Sequence, residues 1–226
     1  MTEAEWLAGT DCRAMLRSLR GRAGDRKLRL FACACWQRLR HLLQDGHLRW
    51  FLGLLEPHAD GLVPPQELWA ARQAAWVAVG SLRQGRPAVE TREELAARRL
   101  ARWAAREPAW TAALQAARTA RGVAARIGDW ASAAEAKSQC DLLHEVFGNP
   151  FRRSAVDPAW LAWEGGTVPR LAGAVYEGRA FDQLPILGDA LEEAGCTDGE
   201  ILAHCRRQPG DHVRGCWVLD LLLGKE

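Results

Sequence analysis

With 226 residues, 48% hydrophobic and 26% charged, the chain has the size and polarity of a globular protein with a substantial core, in one larger or two small domains. A net charge of +2 and a pI near 8.2 give no global field that selects a polyanionic or polycationic partner. The opening MTEAEW is acidic where a secretory leader is basic, and no run approaches the ~18 apolar residues of a membrane span. A soluble, cytoplasmic protein with no membrane partner is the expectation. Seven cysteines, an odd number outside any small secreted framework, are expected as reduced thiols. The cations are 27 Arg and only 3 Lys. With abundant Ala, Leu, Gly and Trp, that matches GC-rich codon usage, so an Arg cluster is not by itself a phosphate site.

In chain order, helical periodicity dominates. Thr2 with Glu5 forms a capping box, and Asp11 caps a segment carrying Met15, Leu16 and Leu19. After the Gly21–Gly24 break, DRKLRLFACACWQRLRHLLQD reads as one long amphipathic helix with Leu28, Phe31, Ala32, Cys35, Leu39 and Leu42 on its apolar stripe. His47 to Leu55 forms another helix, ended by Pro57 and Asp60-Gly61. Pro64-Pro65 opens a helix to Gly80 or beyond. Thr91 and Glu94 form a second capping box, followed by Ala/Arg-rich helix to Ile127 with a break near Pro108. Asp129 caps a helix that stops at FGNPF. From Phe151 the elements shorten: Asp157-Pro158 opens one helix, Thr167 and Asp182 are further caps, and Thr197 with Glu200 makes a third capping box. No alternating β-branched runs occur. The fold class is therefore all-α: an N-terminal helical bundle over 1–150, with a compact C-terminal helical subdomain over 151–226 docked on it.

MTEAEWL, DRKLRLFACACW, FGNPFR, DPAWL, GTVPRLAGAVYEGRAFDQLPILGDALEEAGC and HVRGCWVLDLLLGKE together resemble a family greatly expanded in planctomycete bacteria. The resemblance covers both ends of the chain, whereas residues 45 to 135 are low-specificity Ala/Arg helix. It implies a bacterial cytoplasmic protein and brings no activity, cofactor or catalytic residue with it.

The densest chemistry lies in GCTDGEILAHCRRQPGDHVRGCW. Zinc takes thiolate and imidazole ligands in a tetrahedron. His212 and Cys216, spaced i, i+4, would share one helical face, and a helix-turn-helix through Pro209-Gly210 would bring Cys196 and Cys205 to them. The candidate metal ligands are thus Cys196, Cys205, His212 and Cys216. His204 ranks last, because neighbours on a helix diverge by ~100°. No C-x-x-C knuckle is present, and cysteine is often a small core hydrophobe. Cys216 also continues a stripe with Val213, Leu219 and Leu223. Core packing is the favoured reading of the cluster, zinc the second and a reactive thiol the third. Cys33 and Cys35, two apart on a helix, read as core.

Basic density peaks at Arg13, Arg17, Arg20, Arg22, Arg26, Lys27, Arg29, Arg38 and Arg40. No recognition helix, RNA-binding aromatic motif or finger spacing accompanies it, so solvated faces are favoured over nucleic acid. No G-x-S-x-G, P-loop, G-x-G-x-x-G or H-E-x-x-H occurs, and no catalytic residue is assigned. Trp160 and Trp163, i, i+3 on one face, read first as cement between the two parts and second as a partner-binding pair. The resulting expectation is a non-enzymatic interaction or adaptor protein with a protein partner. A zinc-binding protein and a nucleic-acid-associated protein are the alternatives.

Overall fold

The computed structural model describes residues 1–82, 91–105, 108–152, 154–208 and 212–225. These form α1 (Glu3–Ala8), α2 (Cys12–Leu19), α3 (Asp25–Gln37), α4 (Gly46–Ala59), α5 (Pro65–Leu82), α6 (Arg92–Trp103), α7 (Ala109–Ala125) and α8 (Asp129–Phe147). Five short helices follow: α9 (Pro158–Ala162), α10 (Thr167–Gly178), α11 (Leu184–Glu193), α12 (Gly199–Cys205) and α13 (Trp217–Leu223). No strand occurs among the described residues, and the fold is all-α. None of their helices is long and apolar enough to cross a membrane. The chain divides into two compact units, Met1–Cys140 and Asp141–Glu226.

In the first unit, three caps behave as the sequence predicts, whereas Asp129, read as a cap, is instead the first residue of α8. Thr2 with Glu5 and Thr91 with Glu94 both form reciprocal capping boxes, and the Asp11 carboxylate accepts from the N–H groups of Arg13 and Ala14. The long helix expected over 25–45 is instead two pieces. α3 ends at Gln37, and a 3-10 turn over Arg40–Leu42 follows. Burial on α3 is also wider than the predicted stripe, since every residue from Leu28 to Trp36 is buried, Cys33 and Cys35 among them. Burial on all sides places this part of the helix inside the bundle, and α3 packs against α4 and α7. α7 turns Ala109, Ala112, Ala113, Ala116 and Ala120 inward, a small-residue surface that accepts bulky side chains from its neighbours. α4 runs through Pro57 to Ala59, because the Asp60 N–H still closes the last turn on the Glu56 carbonyl at 3.1 Å.

Part of the basic density is used internally. Arg26 pairs with Asp60 at 2.8 Å and Arg38 with Glu135 at 2.9 Å, each on a carboxylate that is nearly buried. Arg29 is itself buried.

The second unit contains the last turns of α8 and α9 to α13. α10 packs on α9, α11 and α13, and α11 on α12. Their shared core includes Trp160, Val168, Val175, Tyr176, Leu184, Leu187, Leu191, Ile201 and Leu219. Trp160 is thus a core residue of this unit, with Trp163 partly buried against it. Three predicted caps shift. Thr167 is the first residue of α10, Asp182 lies in a 3-10 turn, and Asp198 rather than Thr197 caps α12 by accepting from the N–H groups of Glu200 and Ile201. A carboxylate one residue nearer the helix reaches two N–H groups, and a hydroxyl at 197 does not displace it.

At seven residues α12 is too short to persist without such support. Asp198→Ala is therefore expected to lower the stability of this unit by about 1 kcal/mol. Urea denaturation followed by far-UV circular dichroism reads it, and an unchanged midpoint would show that the cap contributes nothing.

Candidate metal centre

Four side chains converge in the second unit: Glu145 from the last turn of α8, His204 from the end of α12, His212 from the α12–α13 connection, and Cys216, the residue before α13. All four are buried, and one ligand atom from each lies within 4.8 Å of every other. His204 Nε2 is 3.0 Å from Cys216 Sγ and 3.3 Å from Glu145 Oε2. His212 Nδ1 is 3.2 Å from Glu145 Oε1, which also accepts from the Val213 N–H at 3.4 Å.

Local backbone chemistry makes this approach feasible. His212 and Cys216 do not share a helix face. The Cys216 N–H closes a turn on the Val213 carbonyl at 3.0 Å, and Gly215 takes φ +94°, a conformation that only glycine adopts readily. The Pro209-Gly210 turn of the sequence reading lies outside the described residues. Gly148, just beyond α8, has φ +58°, and a Cβ there would sit 3.0 Å from the indole carbons of Trp217. Trp217 thereby stacks close to the chain leaving α8, and its Nε1–H donates to His204 Nδ1 at 3.0 Å.

The electrostatics are those of an electron-rich site. Burial raises the proton affinity of Glu145, but the imidazoles of His204 and His212 beside the carboxylate outweigh it and leave its pKa at about 2. The carboxylate is therefore ionised inside the protein. Burial first, and then the Glu145 charge, push the Cys216 thiol well above its usual range. Glu145 Oε2 and His212 Nε2 are buried without a hydrogen bond. Although Oε2 is within ion-pair distance of His204 Nε2, the hydrogen-bond geometry is not met. Both atoms can present lone pairs, and buried atoms of this kind normally find a partner.

Of the ligands read from the sequence, His212 and Cys216 belong to this group, whereas Cys196 and Cys205 do not. Those two lie in the apolar core, where burial raises both thiols, Cys205 to about 12. Cys205 packs against Gly188, at which a Cβ would come within 3.0 Å of the cysteine Cβ. The ~100° divergence between neighbours does separate His204 from Cys205. It is the histidine that faces the cluster and the cysteine that faces α11. Glu145 was not singled out in the sequence. Its only signal is a carboxylate within the apolar run Leu142, Leu143, Val146, all buried here.

Fold and site together define an all-α protein whose second unit encloses a Glu/His/His/Cys group capable of holding a metal ion. Compared with known protein families, curated proteins and solved structures, the chain matches none.

The Gly148–Trp217 approach ties α8 to α13 beside the cluster. Gly148→Ala is expected to destabilise the second unit by about 1–3 kcal/mol through overpacking on the indole and strain at positive φ. A thermal melt equal to that of the native protein would show that the ring moves aside freely.

Proposed function

We propose that the protein is a non-enzymatic helical module whose second unit is stapled by a divalent transition metal, zinc by its donor set. The observation that carries this reading is the convergence of Glu145, His204, His212 and Cys216 within 4.8 Å in a buried site. Tetrahedral zinc at ordinary bond lengths to N, O and S has ligand–ligand edges of about 3.3–3.6 Å. The two separations made by His204 Nε2, 3.0 Å to Cys216 Sγ and 3.3 Å to Glu145 Oε2, are near that scale, and the other pairs lie within 4.8 Å. Charge points the same way. One thiolate, one carboxylate and two neutral imidazoles carry −2, which a divalent cation cancels, and a buried carboxylate otherwise lacks full compensation. Four protein ligands leave no open position for substrate, the pattern of a structural rather than a catalytic metal. The complete burial of Cys216 argues against the reactive-cysteine alternative, since a reactive thiol must be reached by its substrate. A cytoplasmic setting, in keeping with the family resemblance, would keep that ligand reduced.

Protein purified without a polyhistidine tag is expected to carry about one zinc per chain. Cys216→Ser and His204→Ala should lose it, and Cys196→Ala should retain it. A strong chelator should lower the melting temperature of the native protein, because binding energy is folding energy at such a site. Zinc well below one equivalent after loading would reject the site, and loss of zinc in Cys196→Ala would reject this ligand set.

The interaction role expected from the sequence is supported by a different surface from Trp160 and Trp163. Trp69 and Trp76, seven residues apart, lie on one face of α5 and are 63% and 49% exposed. Exposed tryptophans on a helix face suit a protein partner. Trp69→Glu with Trp76→Glu is expected to leave the far-UV spectrum intact while abolishing any complex that the native protein forms. A complex that survives both changes would remove α5 from the interface.

A further inference from the structure

Both ring nitrogens of His204 are engaged. The Trp217 indole donates to Nδ1 at 3.0 Å, and an indole nitrogen has no lone pair with which to accept. Nδ1 is therefore the acceptor. In a neutral ring the proton then sits on Nε2, which faces Cys216 Sγ at 3.0 Å and Glu145 Oε2 at 3.3 Å. A metal ion bound through Nε2 needs the other tautomer, with the lone pair on Nε2 and the proton on Nδ1. Two N–H groups would then face each other across the present 3.0 Å contact. Metal and indole cannot both hold His204 in this geometry.

We infer that Trp217 and the metal compete for His204, so that Trp217 is a positioning residue that sets the metal affinity and turns its N–H away when the site fills. This rests on the metal reading above. The placement of Trp217 suits the role. It directly follows the ligand Cys216 and lies against Gly148, where the missing Cβ makes room for the ring. Its ring meets that of His204 edge-on at 5.3 Å. The side chain is only partly buried, so water can take the released N–H. No proton has to leave the protein on account of His204, because the proton lost from Nε2 is balanced by one gained at Nδ1. The competing hydrogen bond lowers affinity in the way that any minor binding-competent state does.

The test uses 15N-labelled full-length protein and zinc ion. The Trp217 indole signal is assigned by its absence from Trp217→Phe. Without metal, His204 should show the Nε2–H tautomer and the Trp217 indole proton should be shifted by its hydrogen bond. One equivalent of zinc should convert His204 to the Nδ1–H tautomer and move the indole signal to a solvent-bonded position. Stoichiometric zinc uptake with both signals unchanged would overturn the competition and leave the metal site standing. No zinc uptake at all would remove the site and the competition with it. Independently, Trp217→Phe keeps a ring against Gly148 and deletes the donor. It should bind zinc about fivefold tighter in chelator competition, the equilibrium value of one neutral hydrogen bond. A tryptophan with only a packing role would give equal or weaker binding, and either result overturns the proposal.

Discussion

An ionised carboxylate held inside a protein must be compensated, and the second unit is arranged around one. Glu145 Oε1 takes N–H donors from His212 and from the Val213 backbone, while Oε2 lies beside His204 and carries no hydrogen bond. Removing the carboxylate would leave the buried His212 Nδ1 without its partner, and removing the histidines would leave a buried charge with only the Val213 N–H to compensate it. The cluster gathers the end of α8, the end of α12, the connection after it and the start of α13. α12 and α13 are seven residues each, too short to be stable on local hydrogen bonding alone. Their persistence depends on the apolar core and on this polar knot between them.

The cluster adjoins the apolar core of the second unit, of which Cys216 is itself a member. Leu187, Leu191, Ile201, Val218 and Leu219 share that core, and their side chains offer no competing donors. Low local polarity strengthens every interaction inside it, and it penalises every atom left without a partner in the same measure. The two buried thiols that stand apart from the cluster, Cys196 and Cys205, behave as small apolar groups within the same core.

Much of the architecture was legible in the residues. Capping boxes at Thr2 and Thr91, the Asp11, Asp157 and Pro64-Pro65 starts and the stop at FGNPF each rest on local chemistry, and local chemistry is what one sequence displays. The miss at α3 has a tertiary cause. Whether Leu30 and Ala34 face water depends on α7 being there, and nothing within residues 25–45 says so. The site was legible in part. His212 and Cys216 announced themselves by residue type within a short span, yet they meet through a glycine turn rather than a helix face. The choice between His204 and Cys205 is made by which side of α12 the core covers, and the fourth member lies 59 residues upstream of His204. A carboxylate in an apolar helical stripe is the one local sign it leaves.

That distance along the chain has a practical side. The composition of the sequence invites a cut after Pro150, where long helices give way to short ones. A fragment begun there would retain His204, His212 and Cys216 and lose Glu145, together with Gly148 and the slot it makes for Trp217. One begun near Asp141, where the second unit starts, would keep all of them. Two pieces differing by ten residues would thus differ in charge balance at their centre, and the shorter one would be read, mistakenly, as evidence that this half cannot fold by itself.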